Sequence, residues 1–283
     1  MRWTPGGISR DIIDRRGGGG GLKLGGGLGC GGIIILLVLS LVTGQNFFQF
    51  FDGAGGPAQG PGQAAPPTTE TPQERERLEF VSFVLDDAQN TWTRVFQEQH
   101  GSAYERAKLS PFRGSVRSGC GGATAASGPF YCPADGTVYL DLSFFDELHQ
   151  RFGAPGDFAQ AYVISHEIGH HVQNQLGIAG QVHDAMARDR ANANEYSVRL
   201  ELQADCFAGI WGHSTAQRKI LEEGDVEEGL NAASAIGDDR LQREAGRSAN
   251  PETFTHGTSA QRVEWFERGL RSGRMSDCDT FGR

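Results

Sequence analysis

The chain has no surplus of positive charge. Its 26 Lys and Arg stand against 35 Asp and Glu, a formal net charge of −9. That excludes a broad basic face for nucleic acid. No C-x-x-C pair occurs among its five cysteines, Cys30, Cys120, Cys132, Cys206 and Cys278, which argues against a structural zinc knuckle. No internal repeat is present. From Leu24 to Phe51 there is not one charged residue, and that stretch divides the chain.

Residues 1–27 are Gly-rich and carry Arg2, Arg10, Arg15, Arg16 and Lys23 against Asp11 and Asp14. Such a composition buries no core of its own, so disorder is expected. Residues 28–51 centre on the apolar run Ile33 to Val42. With its uncharged flanks the stretch reaches the roughly 20 residues that span a bilayer. The basic side precedes it, so the expected topology is single-pass in the cytoplasmic membrane, with a cytoplasmic N-terminus. The rest of the chain then faces the periplasm or the exterior. A cleaved signal peptide is the rival, because the strongly apolar core is short. No Ala-x-Ala site follows Val42, however, and Phe47, Phe48, Phe50 and Phe51 suit an interfacial anchor. Residues 52–71, rich in Gly, Pro, Ala and Gln, read as a flexible linker. Residues 72–283 are left as the folded domain.

Within that domain, Leu78, Val81, Leu85, Ala88, Trp92, Val95 and Phe96 repeat at helical spacing, and Gly101 closes the helix. Short extended pieces follow: Ser115-Val116, Pro129 to Tyr131, and Thr137 to Leu142 after the Asp135-Gly136 turn signal. Val138, Leu140 and Leu142 alternate with Tyr139 and Asp141, as in a half-buried strand. The fold expected is α+β, mainly helical with a small antiparallel sheet. Apart from Cys30, the cysteines are even in number, which fits two disulfides in an oxidising compartment. Cys120 and Cys132 are close in sequence and make the first pair. Cys206 and Cys278 follow by elimination.

No helix breaker interrupts Asp157 to Leu176, and inside that run lies His166-Glu167-Ile168-Gly169-His170. Gly156 or Asp157 can begin this helix and Gly177 can end it. Ala161, Ile164, Ile168, Val172 and Leu176 give it an apolar stripe, so the motif rides on a packed helix and not on a solvated one. Residues i and i+4 of a helix lie about 5–6 Å apart at Cβ, so His166 and His170 can reach one ion. Glu167 then sits where a general base must be, beside a metal-bound water. The pattern is that of the zincins.

A catalytic zinc needs a third protein ligand and keeps one open position. Glu201 is the best candidate. It lies on the next long helix, from Asn194 to Trp211, with Asp205 one turn on along the same face. Asp205 can accept a hydrogen bond from the outer nitrogen of a ligand histidine. Two carboxylates inside an otherwise apolar helix also call for a compensating cation. His171, His183 and His213 are weaker candidates. Asp225-Val226-Glu227-Glu228 reads as a capping box that opens a third helix, and a last helix follows Ser259.

The H-E-x-x-H of residues 166–170 with Glu201-x-x-x-Asp205 is similar to the gluzincin pattern. Together with Gly128 to Pro133, Val138 to Asp141 and the extension to Gln173, it resembles the bacterial putative neutral zinc metallopeptidase family. That resemblance covers nearly the whole chain and implies a membrane-anchored zinc peptidase. In addition, Thr255-His256-Gly257-Thr258-Ser259-Ala260-Gln261-Arg262 is similar to a Thr-His-Pro-Pro-Thr-x-x-Arg stretch of integral-membrane gluzincins. There the His and Arg stabilise the oxyanion, which would give His256 and Arg262 that role here. This chain departs at Gly257-Thr258, where those relatives carry two prolines.

The function expected is hydrolysis of peptide bonds in a peptide or protein substrate, with one catalytic Zn2+, Glu167 as general base and the bilayer as second partner. Thr137–Leu142 is a candidate edge strand for pairing with an extended substrate. A zinc-bound scaffold that hydrolyses nothing is the alternative from another class, and a narrow exopeptidase is a third.

Overall fold

Asp11 is a buried carboxylate in a segment expected to be disordered, and its partners lie nearly a hundred residues away. The computed structural model describes residues 1–17 and 70–282. Residues 1–17 lie packed against the domain. The expectation of disorder for residues 1–27 is therefore corrected over that part. The segment builds no core of its own, but it shares one: Met1 is buried, and Trp3 packs edge-on to Phe80 with ring centroids 5.3 Å apart. The expected transmembrane segment of residues 28–51, nearly all of the linker and Cys30 lie outside the described residues. Among the described residues no helix is long and apolar enough to cross a membrane.

Eight α-helices and five strands make up the described domain, which is α+β and mainly helical. Helix α1 (Pro72–Val95) starts at a full capping box, in which Thr71 and Glu74 satisfy each other's backbone N–H groups. Its last turn widens into a π-helical turn, Phe96–His100, which Gly101 ends. Strands β1 (Lys108–Phe112), β4 (Phe130–Cys132) and β5 (Thr137–Asp141) form one sheet in the order β1-β5-β4. Here β1 runs parallel to β5 and β4 antiparallel to it, so this sheet is mixed and not the antiparallel one expected. Strands β2 (Ser115–Ser118) and β3 (Gly121–Thr124) form a separate antiparallel hairpin. A disulfide between Cys120 and Cys132 ties that hairpin to β4.

The central place of β5 overturns two expectations. It is not a half-buried strand, because all five of its residues are buried. Tyr139 and Asp141 tolerate burial because each is partnered: the Tyr139 hydroxyl donates to Asp135 at 2.8 Å, and Asp141 accepts the Gly114 N–H at 2.7 Å. Nor is β5 an edge, since β1 and β4 fill both of its sides, so no substrate strand can pair there.

Helix α2 (Phe144–Gln150) leads to α3 (Asp157–Gln175), the motif helix, which begins after Gly156 and ends before Gly177 at φ 71°. The polar stretch after it is itself helical, as α4 (Ile178–Arg188). Helix α5 (Ala193–Gln217) is followed by α6 (Asp225–Ala235), α7 (Asp238–Glu244) and α8 (Ser259–Ser272). The capping box expected at Asp225 does not form. Gly224 is the cap residue, and the Asp225 carboxylate instead accepts the Glu222 N–H at 2.7 Å and faces the Met1 nitrogen at 3.1 Å. Helices α1, α3, α5, α6 and α8 enclose the main core. Phe158 stacks on Trp211, while Trp92 meets Phe207 and Tyr162 meets Phe266 edge-on.

Candidate metal centre

Helices α3 and α5 approach closely at Gly169, where a Cβ would lie 2.9 Å from the Ala204 carbonyl oxygen. Any larger residue in the middle of H-E-x-x-H would hold the two helices apart. Across this contact Glu201 faces both motif histidines. Its Oε2 lies 3.2 Å from Nε2 of His166, and its Oε1 lies 3.5 Å from Nε2 of His170. The two imidazoles are 4.8 Å apart and nearly perpendicular. One ligand atom from each of the three residues falls within 4.8 Å of the others.

The outer nitrogens explain why the inner ones converge. Nδ1 of His166 donates to Asp205 Oδ1 at 2.8 Å. Nδ1 of His170 donates to Gln173 Oε1 at 2.8 Å, and Gln173 is itself held by donating to the Leu200 carbonyl at 2.6 Å. Each ring is thereby fixed with Nε2 turned to Glu201. Burial raises the pKa of Glu201, but His170, His256 and His166 outweigh it and hold the carboxylate well below its usual range. Burial likewise works against a charged His166, yet Asp205 and Glu201 push it up to about 10. Two imidazole nitrogens and one carboxylate oxygen suit zinc with an open position. The weaker histidine candidates are engaged elsewhere: His171 with Tyr131 and the Glu105 carbonyl, and His213 with the Leu270 carbonyl. His183 is exposed on α4.

Glu167 follows His166 on α3 and is 8% exposed. Its carboxylate makes no hydrogen bond or ion pair among the described residues. A buried carboxylate left uncommitted by the described residues is suited to accept a proton.

Arg262 is elsewhere than the gluzincin resemblance implies. It is 2% exposed, and its guanidinium grips Asp205 in a fork, Nε to Oδ2 and Nη2 to Oδ1, both at 2.9 Å. The Tyr162 hydroxyl donates to Asp205 as well, at 2.5 Å. Arg262 thus lies behind the ligand shell, where it holds the carboxylate that holds His166. That pairing favours a supporting role for Arg262 over the oxyanion role the resemblance implies. The physical reason is charge: Asp205 is fully buried, and a lone buried carboxylate requires a cation.

Glu201 acts on His256 electrostatically. That field and Asp238 together outweigh the effect of burial and raise its pKa. Asp238, the first residue of α7, organises the loop. Its Oδ2 accepts the backbone N–H groups of Thr255, His256 and Gly257 at 2.7, 2.6 and 3.1 Å, and its Oδ1 lies 3.2 Å from Nδ1 of His256. Gly257 has φ 91°, which proline cannot adopt, and donates an N–H that proline lacks. The departure from the two-proline pattern is therefore a different loop, built around Asp238. Sequence reading missed Asp238, Gln173 and Tyr162. Gln173, at i+3 from His170 on a helix, was the one within reach of local spacing.

The family model described as putative neutral zinc metallopeptidase matches residues 1–281. YpfJ of Escherichia coli (strain K12), named an uncharacterized protein, is 48% identical over 289 residues, covering 100% of this chain and 99% of the relative. The chain belongs to this family. Rv2575 of Mycobacterium tuberculosis (strain ATCC 25618 / H37Rv), also named uncharacterized, is 44% identical over 189 residues, covering 63% of each chain. No solved structure matches. Membership agrees with the zinc-suited donor set of His166, His170 and Glu201, and the pairs Cys120–Cys132 and Cys206–Cys278 are both disulfide-bonded.

Proposed function

We propose that this protein is a membrane-attached, zinc-dependent endopeptidase. The observation that carries the reading is the convergence of His166, His170 and Glu201, with Glu167 the next residue after His166 on α3. Those three residues would hold a zinc ion, which would supply Lewis acidity toward a scissile carbonyl and toward water. Glu167 takes the proton of the attacking water and returns it to the leaving amine. His256, oriented through Nδ1 by Asp238, turns its other nitrogen to the developing oxyanion. Asp205, Gln173 and Arg262 keep the ligand imidazoles aimed and touch no substrate. The two disulfides favour an exported domain. A non-hydrolytic scaffold has no use for a free carboxylate at the position of Glu167.

The test is hydrolysis of an unstructured protein by the purified full chain. Activity should disappear with a chelator and return with one equivalent of zinc. Comparing the peptides released in membranes that hold wild type or Glu167→Gln identifies the substrates. A fully zinc-loaded wild type with no cleavage product in either assay leaves the scaffold reading in possession.

His256→Ala should keep zinc and lower kcat by about 10²–10³-fold with little change in KM, as the loss of one oxyanion donor does. Asp238→Asn should reproduce part of that loss by freeing the imidazole. Wild-type kcat in His256→Ala would remove this residue from the mechanism.

A further inference from the structure

Each ligand histidine leans on a polar side chain, and each of those side chains is held in turn. For His166 the order is Asp205 and then Arg262 of α8. For His170 it is Gln173, which donates to the Leu200 carbonyl and also to Gln203 Oε1 at 3.2 Å. Gln203 then donates to the Cys278 carbonyl at 2.9 Å. We propose that Gln203 and the segment after α8, tied down by the Cys206–Cys278 disulfide, position His170, so that zinc affinity depends on that disulfide. The step rests on the metal reading of His166, His170 and Glu201 and not on peptide hydrolysis.

Polarity runs one way along this line of groups. A main-chain carbonyl can only accept a hydrogen bond. Cys278 therefore turns the amide nitrogen of Gln203 toward itself and leaves the Gln203 oxygen facing Gln173. Both N–H groups of Gln173 are then used, on Leu200 and on Gln203, and its oxygen faces His170. An oxygen there requires the ring proton on Nδ1, which keeps the Nε2 lone pair free for a metal. A reversed Gln173 amide would present N–H to Nδ1, drive the ring proton to Nε2 and close the ligand position. Gln203 blocks that reversal only while the Cys278 carbonyl holds it. Gln173 is 0% exposed and Gln203 4%, so bulk water does not replace a lost partner.

The segment after α8 follows one stripe of α5. Cys278 is bonded to Cys206, its carbonyl meets Gln203, and Thr280 donates to the Arg199 carbonyl at 2.7 Å. Residues 199, 203 and 206 share one face of that helix by their spacing, beside the face that carries Glu201 and Asp205. Packing of this segment is incomplete. Met275 and Phe281 line, with Leu176, Ile178 and Phe207, a cavity of about 160 Å³. The disulfide and the hydrogen bonds must then supply the hold. Both ligand histidines are thus braced from the same end of the chain, His166 through α8 and His170 through the segment that follows it.

The test is a titration of the full chain with Zn2+ against a competing chelator, well below the melting temperature of each protein. Gln203→Met keeps the length of the side chain and the disulfide but removes the amide. Zinc binding should weaken about tenfold, the lower end of what loss of a direct support for a ligand histidine costs. Cys206→Ala combined with Cys278→Ala should weaken it at least as much. Cys120→Ala combined with Cys132→Ala removes the hairpin disulfide instead, and should lower stability while leaving zinc affinity where it was. With Co2+ in place of zinc, the visible absorption bands report ligand geometry. They should change in Gln203→Met and not in the Cys120 and Cys132 variant. A residue that only stabilised the fold would move the melting temperature and leave the bands alone. Wild-type zinc affinity and cobalt bands in Gln203→Met overturn the proposal, whether or not the Cys206 and Cys278 variant folds. An equal loss of affinity from both cysteine pairs overturns the dependence on this disulfide. A wild-type chain that binds no zinc is a distinct result, which defeats the metal reading and this step with it.

Discussion

Glu167→Gln keeps its metal and loses its turnover: this is the largest catalytic effect expected of any single substitution. Glutamine matches glutamate in size, and no hydrogen bond to a described residue is lost, so packing around α3 stays intact. Zinc content and melting temperature should therefore equal those of wild type. What disappears is the proton acceptor. General-base catalysis contributes about 10²–10⁴-fold. Because Glu167 also orients the attacking water, the loss should fall at or beyond the upper end. The variant should thus be slower than His256→Ala, which keeps the base and removes one donor to the oxyanion. Metal analysis, a melting curve and single-turnover kinetics on the same preparation separate the cases. If Glu167→Gln turns over within tenfold of wild type at full zinc occupancy, the base is another group, and the zincin reading of the motif fails with it.

The parts of this site that were legible in the sequence are those set by local spacing. His166 and His170 are neighbours because a helix repeats every 3.6 residues, and the apolar stripe below them announced that the helix was packed. Glu201 and Asp205 were legible for a related reason: two carboxylates one turn apart in an apolar helix have few explanations other than a cation.

Contacts between distant residues were not legible in this way. Arg262 carries the same charge whether it faces an oxyanion or Asp205, and only the fold decides. The central strand β5 alternates apolar with polar residues like an edge strand, yet Tyr139 and Asp141 are buried because Asp135 and Gly114 partner them. Residues 1–17 look disordered by composition, since glycine and arginine bury no core alone. Their order comes from Arg106, Lys108, Phe80 and the free edge of β1, none of which is near in sequence.

The second large effect is on stability and metal affinity together, at the Arg262–Asp205 pair. Asp205→Ala leaves a guanidinium buried without its carboxylate and frees the outer nitrogen of His166. Removing one partner of a buried pair costs about 3–5 kcal/mol, a large share of the 5–15 kcal/mol typical of a whole domain. Asp205→Asn is the gentler probe: it keeps the shape and one acceptor for His166, and zinc affinity should fall by about 10–100-fold, as it does when a group supporting a ligand histidine is lost. Arg262→Lys keeps the charge but not the two-pronged grip, so it should lower the melting temperature and weaken zinc binding. Once saturated with metal, that variant should turn over near the wild-type rate. The split between occupancy and kcat is decisive, because a residue that acts through Asp205 affects the first and an oxyanion donor affects the second. Should Arg262→Lys bind zinc and melt like wild type but lose kcat, the guanidinium reaches substrate after all, and the assignment of Arg262 as a support for His166 is wrong.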